Sequence, residues 1–136
     1  MIVGRNFVFV LNPKAASTSI STALRGRGVH THWRHEPLTS KPPHPIVAAV
    51  WRDPEDRLRS AWKGGIPFET WRSQSGDWNA YGGIDIRDVD QEHWFKHVNF
   101  RLDFSRLHED WQRFCEMAGL GHIDLPHLNK GLPHGI

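Results

Sequence analysis

Cysteine is nearly absent: Cys115 stands alone, so no internal disulfide forms and no cysteine-based zinc site can be assembled. Cysteine used this sparingly fits a reducing compartment, and the cytosol is the expected location. Long apolar runs are missing as well. Nothing approaches the roughly 18 consecutive apolar residues of a membrane helix, and Met1 to Asn12 lacks the charged start, apolar middle and cleavage site of a secretory leader. A soluble chain with no membrane partner is the expectation. There is no strong excess of one charge either: 17 Lys and Arg stand against 15 Asp and Glu, a net +2. That balance weighs against a nucleic-acid partner, whereas a small anionic ligand asks only for local positive charge. The chain has ten histidines, but His30 and His32, on one strand face, have no carboxylate or cysteine at ligand spacing, so no metal is expected.

What is present fits one domain spanning residues 1–136, with 38% hydrophobic residues to supply a single core. Phe7 to Leu11 is a continuous apolar run ending at Asn12-Pro13, the pattern of a strand buried on both faces. Ile20, Ala23 and Leu24 then recur at helical spacing within Ser17 to Arg25, with Gly26 and Gly28 as a stop. Val29 to Trp33 reads as a second strand and Pro37 to Pro45 as a loop. Ile46 to Trp51 is another buried strand, followed by Asp53 as N-cap and Pro54 at the first helical position. Gly64 to Asp90, with five glycines and two tryptophans, shows no period and reads as an acceptor-facing loop. Trp71 and Trp78 there suit either loop anchoring or stacking on a ligand. Val98, Phe100, Leu102 and Phe104 alternate with polar residues as in a half-buried strand, and a helix opening at Ser105 carries Leu107, Trp111, Phe114 and Ala118. Leu125 to Ile136 reads as an ordered coil. Strands alternating with helices predict an α/β fold whose central, mainly parallel sheet is flanked by helices, with ligands beyond the carboxyl ends of the strands.

Two stretches at those ends suit phosphate. In Pro13-Lys14-Ala15-Ala16-Ser17-Thr18-Ser19, a buried strand hands over to a helix, so backbone N–H groups and the positive helix end converge. The alanines permit close approach, the hydroxyls of Ser17, Thr18 and Ser19 can donate, and Lys14 brings charge. The nucleotide-triphosphatase P-loop differs, because its lysine comes late and follows glycine.

Pro13 to Ser19 resembles the 5′-phosphosulfate loop of sulfotransferases that use 3′-phosphoadenosine 5′-phosphosulfate (PAPS). Arg52-Asp53-Pro54-Glu55-Asp56-Arg57-Leu58-Arg59-Ser60 resembles their 3′-phosphate motif, and Leu125 to Gly131 is similar to the segment that closes over the nucleotide. The resemblance implies a three-layer P-loop-like domain that moves a sulfuryl group from PAPS, its co-substrate, to a hydroxyl or amine on a small molecule or glycan, with no metal. It implies that Lys14 meets the leaving phosphate, that Ala15, Ala16, Ser17, Thr18 and Ser19 line the donor, and that Arg52 and Ser60 hold the 3′-phosphate. Asn129, Lys130 and Gly131 would complete the nucleotide site.

In that family the base lies near the end of the second strand and is His or Glu. His30, His32, His35 and Glu36 are the candidates here; His35, just beyond the strand, is preferred and His32 comes next. An ordinary imidazole titrates near 6.5, suited to accepting a proton at neutral pH. Two rival readings remain: a P-loop kinase, disfavoured because the strand ending in Trp51 and Arg52 offers magnesium no acid, and a nucleotide-binding module without transfer chemistry.

Overall fold

The computed structural model describes residues 1–31, 33–74 and 85–126. Within them, five strands form one sheet in the order β3-β1-β2-β4-β5. The strands are β1 (Ile2–Val3), β2 (Phe7–Val10), β3 (Val29–His30), β4 (Ile46–Trp51) and β5 (Phe100–Asp103). β2 pairs in parallel with β4, from Phe7↔Ile46 to Val10↔Ala49, and β4 pairs in parallel with β5, from Ala48↔Phe100 to Trp51↔Asp103. β1 runs antiparallel to both β2 and β3. The protein is thus a mixed α/β domain whose central strands are parallel.

The two central strands are apolar along their length because both faces are covered: β2 is buried throughout, as is β4 up to Val50. Phe7, Phe9, Ala48, Val50 and Leu102 face α1 (Ser17–Ala23) and α4 (Leu107–Met117), which contribute Ile20, Trp111 and Phe114. The ring of Phe114 meets Phe9 edge-on at 5.0 Å and stacks on Trp111 at 5.4 Å. On the other face Val8, Val10, Val47 and Ala49 pack against Met1, Leu38 and Trp94. That cover comes from loop chain and a 3₁₀ turn, Gln91–Trp94. Burying that many apolar side chains, each contributing roughly 1.5–3 kcal/mol, is what fixes the strand ends in space.

Several expectations change, the helical cover expected on the second face of the sheet among them. β1 was not foreseen; its turn depends on Gly4, where a Cβ would lie 2.1 Å from the Phe7 ring. The second expected strand shortens to Val29–His30, both exposed at the sheet's edge. Phe104, expected to point inward with Phe100 and Leu102, leaves the strand in a 3₁₀ turn and is 36% exposed. In the segment 64–90, α3 (Phe68–Arg72) forms, and Trp71 packs beside the pair Ala61 and Ile86; residues 75–84, Trp78 among them, lie outside the described residues. No helix among the described residues is long and apolar enough to cross a membrane.

Candidate functional site

The chain leaves β2 through Leu11 and Asn12, both 1% exposed. The Asn12 carbonyl accepts from the Ala15 amide at 3.2 Å and from Ser17 Oγ at 2.9 Å, which closes a tight turn. To make it, Lys14 and Ala16 take left-handed backbone, φ 61° and 65°. Each such residue costs about 1–2 kcal/mol when it carries a Cβ, and strain of this kind gathers at functional sites. Ala16 is the cap of α1 and offers no side-chain acceptor. The amides of Ser17, Thr18 and Ser19 find no backbone acceptor among the described residues.

The turn after β4 supports this one from outside. Asp53 caps α2 (Pro54–Ala61) by accepting from the Asp56 amide at 3.1 Å, as the Asp-Pro pair predicts. Arg52 Nη1 donates to the Lys14 carbonyl at 3.0 Å, and Arg57 Nε donates to the Pro13 carbonyl at 3.0 Å. Arg57 is 3% exposed, its guanidinium 5.1 Å from the centre of the Trp94 ring. The Arg52 guanidinium lies 4.1 Å over the Phe104 ring, a cation–π contact with that outward-turned aromatic. An amide pair ties the strand ends together. Asn12 Nδ2 donates to the Val50 carbonyl and to Gln91 Oε1, each at 2.9 Å. Gln91 in turn donates Nε2 to the Arg52 carbonyl at 2.6 Å and accepts from the Arg52 amide at 3.2 Å.

Positive charge gathers at the turn. Burial, then the cations Lys63 and Arg52, hold the Lys14 ammonium below its ordinary value. Burial does the same to Arg52, opposed by Asp56 and Asp53. Arg52 Nε is buried and has no hydrogen-bond partner among the described residues, a donor whose desolvation nothing in the protein offsets. His35 Nδ1 sits 2.8 Å from the Leu11 carbonyl. That contact makes Nδ1 the protonated nitrogen and leaves the lone pair on Nε2. Burial pulls the imidazole down to about 4; the bond to Leu11 opposes the shift, and the nearby cations Arg34 and Lys14 add to it. Trp94 Nε1 donates to the His35 carbonyl at 2.7 Å, fixing its backbone.

Lys14, Ala15, Ala16, Ser17, Thr18, Ser19 and Arg52 therefore converge, with His35 at the base of the turn. Two assignments shift in detail. The Ser17 hydroxyl is spent on the Asn12 carbonyl, and Arg52 holds the loop with one nitrogen while another remains unmatched. Ser60 is half-buried on α2, one turn after Arg57 and so on a neighbouring part of the helix surface. Of the other base candidates, His30 is exposed on the edge strand and Glu36 accepts from Thr31 Oγ1 at 2.5 Å. His32, Asn129, Lys130 and Gly131 lie outside the described residues. Sequence reasoning missed Gln91, Lys63 and the buried role of Arg57. Arg57 and Ser60 carried a signal in their motif; Gln91 carried none, because its partners are carbonyls and amides that only the fold brings together. No family model matches the chain, and neither a curated protein nor a solved structure matches it.

Proposed function

We propose that the chain binds PAPS and transfers its sulfuryl group to a hydroxyl or amine acceptor, on a P-loop-like domain in which loop chain and a 3₁₀ turn stand where a second helical layer would lie. The observation that carries this reading is the bond from the Arg52 guanidinium to the Lys14 carbonyl, which joins the two phosphate-like stretches into one surface. The chemistry of the surface fits a bisphosphorylated nucleotide: a lysine beside the cations Lys63 and Arg52, and, among the described residues, a buried and unmatched Arg52 Nε and first-turn amides without backbone acceptors. The parallel strands β2 and β4, which both open there, support the same architecture.

In the proposed reaction the acceptor oxygen or nitrogen bonds to sulfur as the bond from sulfur to the bridging phosphate oxygen breaks in line. Charge collects on the leaving phosphate, where Lys14 stabilises it most. The acceptor proton passes to His35 Nε2. A neutral imidazole holds that lone pair at neutral pH, and an arriving polyanion raises its basicity toward the working pH. Titration calorimetry tests the donor directly. Adenosine 3′,5′-bisphosphate is expected to bind far more tightly than adenosine 5′-monophosphate; equal affinities would overturn the reading.

A second reading is a binding module without transfer chemistry. It is favoured by His35 itself, whose value of about 4 makes it a weak base before ligand arrives. Incubation with radiolabelled PAPS and a panel of sugars, phenols and peptides separates the two, since the module binds nucleotide and yields no labelled product.

A further inference from the structure

A cleft of about 440 Å³ opens between α1 and the β1–β3 edge of the sheet, within the roughly 300–1,000 Å³ typical of small-ligand pockets. Its walls combine two kinds of group. Thr18, Ser21 and Thr22 bring hydroxyls from successive turns of α1, while Arg25, His30 and Arg34 bring cations or a potential one. Ile2 and Leu24, each 1% exposed, lie beneath the cleft as its apolar floor.

Two guanidiniums lack an ion-pair partner and one hydroxyl lacks a hydrogen-bond partner among the described residues. Among the described residues no carboxylate lines the cleft, and neither Arg25 nor Arg34 has an ion-pair partner. Ser21 Oγ is buried without a hydrogen-bond partner among the described residues. Burial holds the Arg34 guanidinium below its ordinary value. Burial, the terminal amine and Arg34 together do the same to His30. Cations gathered with no acid between them select an oxyanion, and a row of hydroxyls above apolar carbon suits the hydroxyls and ring face of a sugar-like molecule.

We infer that this cleft binds a small anionic polyol, its oxyanion held by Arg25 and Arg34 and its hydroxyls by Ser21 and Thr22. Thr18 lines this cleft from the first turn of α1, which follows directly on the turn that carries Lys14, so the cleft adjoins the donor surface. Its identification as the acceptor rests on the sulfuryl-transfer reading; the binding itself does not.

The test is an NMR titration of the full chain, without nucleotide, with glucuronate, glucose 6-sulfate, glucose 6-phosphate and glucose. The charged sugars are expected to shift the Ser21, Thr22 and His30 amides, and glucose is not; which of the three binds best identifies the oxyanion as carboxylate, sulfate or phosphate. The variant Arg25→Gln with Arg34→Gln is expected to weaken the charged sugars about tenfold or more, the scale of a lost charge-assisted hydrogen bond, and to weaken adenosine 3′,5′-bisphosphate far less. Arg25→Lys with Arg34→Lys keeps the charge and guards against mere misfolding by retaining most of the affinity. Glucose binding as well as its charged relatives would overturn the inference, as would adenosine bisphosphate binding with no charged sugar bound. The converse result, charged sugars binding where adenosine bisphosphate does not, defeats sulfuryl transfer and leaves the cleft an anion site.

Discussion

The turns after β2 and β4 open on the same side of the sheet and solve opposite problems. The first is built of small residues, and its usefulness lies in backbone: Lys14 and Ala16 in left-handed conformation, and first-turn amides without acceptors. The second delivers long side chains, and two of its guanidiniums reach across to carbonyls of the first. A strained loop without a glycine persists because its neighbour holds it. Strain at one turn and support from the other are therefore one device.

The largest effect expected from separating them is on chemistry. Lys14→Ala is expected to reduce turnover about 10²–10³-fold, the scale of removing one preorganised charge at a leaving group. Stability is expected to move little, since alanine meets the same φ. Steady-state kinetics beside a denaturation curve reads both. Arg57→Ala should do the reverse in kind. It strands the Pro13 carbonyl and empties a buried site against Trp94, so a loss of about 2–4 kcal/mol in unfolding free energy is expected from urea titration. A loss below a few tenths would mean that the second turn does not hold the first.

His35 gives a smaller, pH-dependent effect. Its folded value of about 4 lies below the ordinary 6.5, so between those values the unfolded chain takes up a proton that the folded chain refuses. Its contribution to stability is whole above about 6.5 and declines as pH falls toward 4. Urea midpoints measured from pH 7 to 4 should show that decline, flattened in His35→Gln, whose amide keeps a donor for Leu11. The smallest effect is Ala16→Gly. Glycine takes the left-handed cap without strain, and a gain of at most about 1 kcal/mol is expected; a clear loss would show that the turn is not strained.

How far the sequence revealed this follows the range of the interactions. β2 and β4 were legible because strands covered on both faces are apolar at every position, and α2 because Asp53 and Pro54 act within one turn. The two phosphate-like stretches were legible as local patterns. Their union was not, because the Arg52 to Lys14 bond spans 38 residues and depends on β2 and β4 being neighbours. Gln91 is the extreme case, a buried amide serving both strand ends that looks in sequence like any polar residue. Phe104 continues the strand's alternation in sequence, yet the strand ends at Asp103 and Phe104 opens a 3₁₀ turn, its ring beneath the Arg52 guanidinium. The shift of cover on one face, from helix to loop chain and a 3₁₀ turn, was equally invisible, since Trp94 and Leu38 carry no periodicity of their own.

The central claim is that both turns grip one anionic ligand, and an NMR titration with adenosine 3′,5′-bisphosphate tests it most directly. The Ser17, Thr18 and Ser19 amides and the buried Arg52 Nε–H are predicted to shift together and saturate at a single midpoint. Shifts confined to one turn, or two unrelated midpoints, would contradict it.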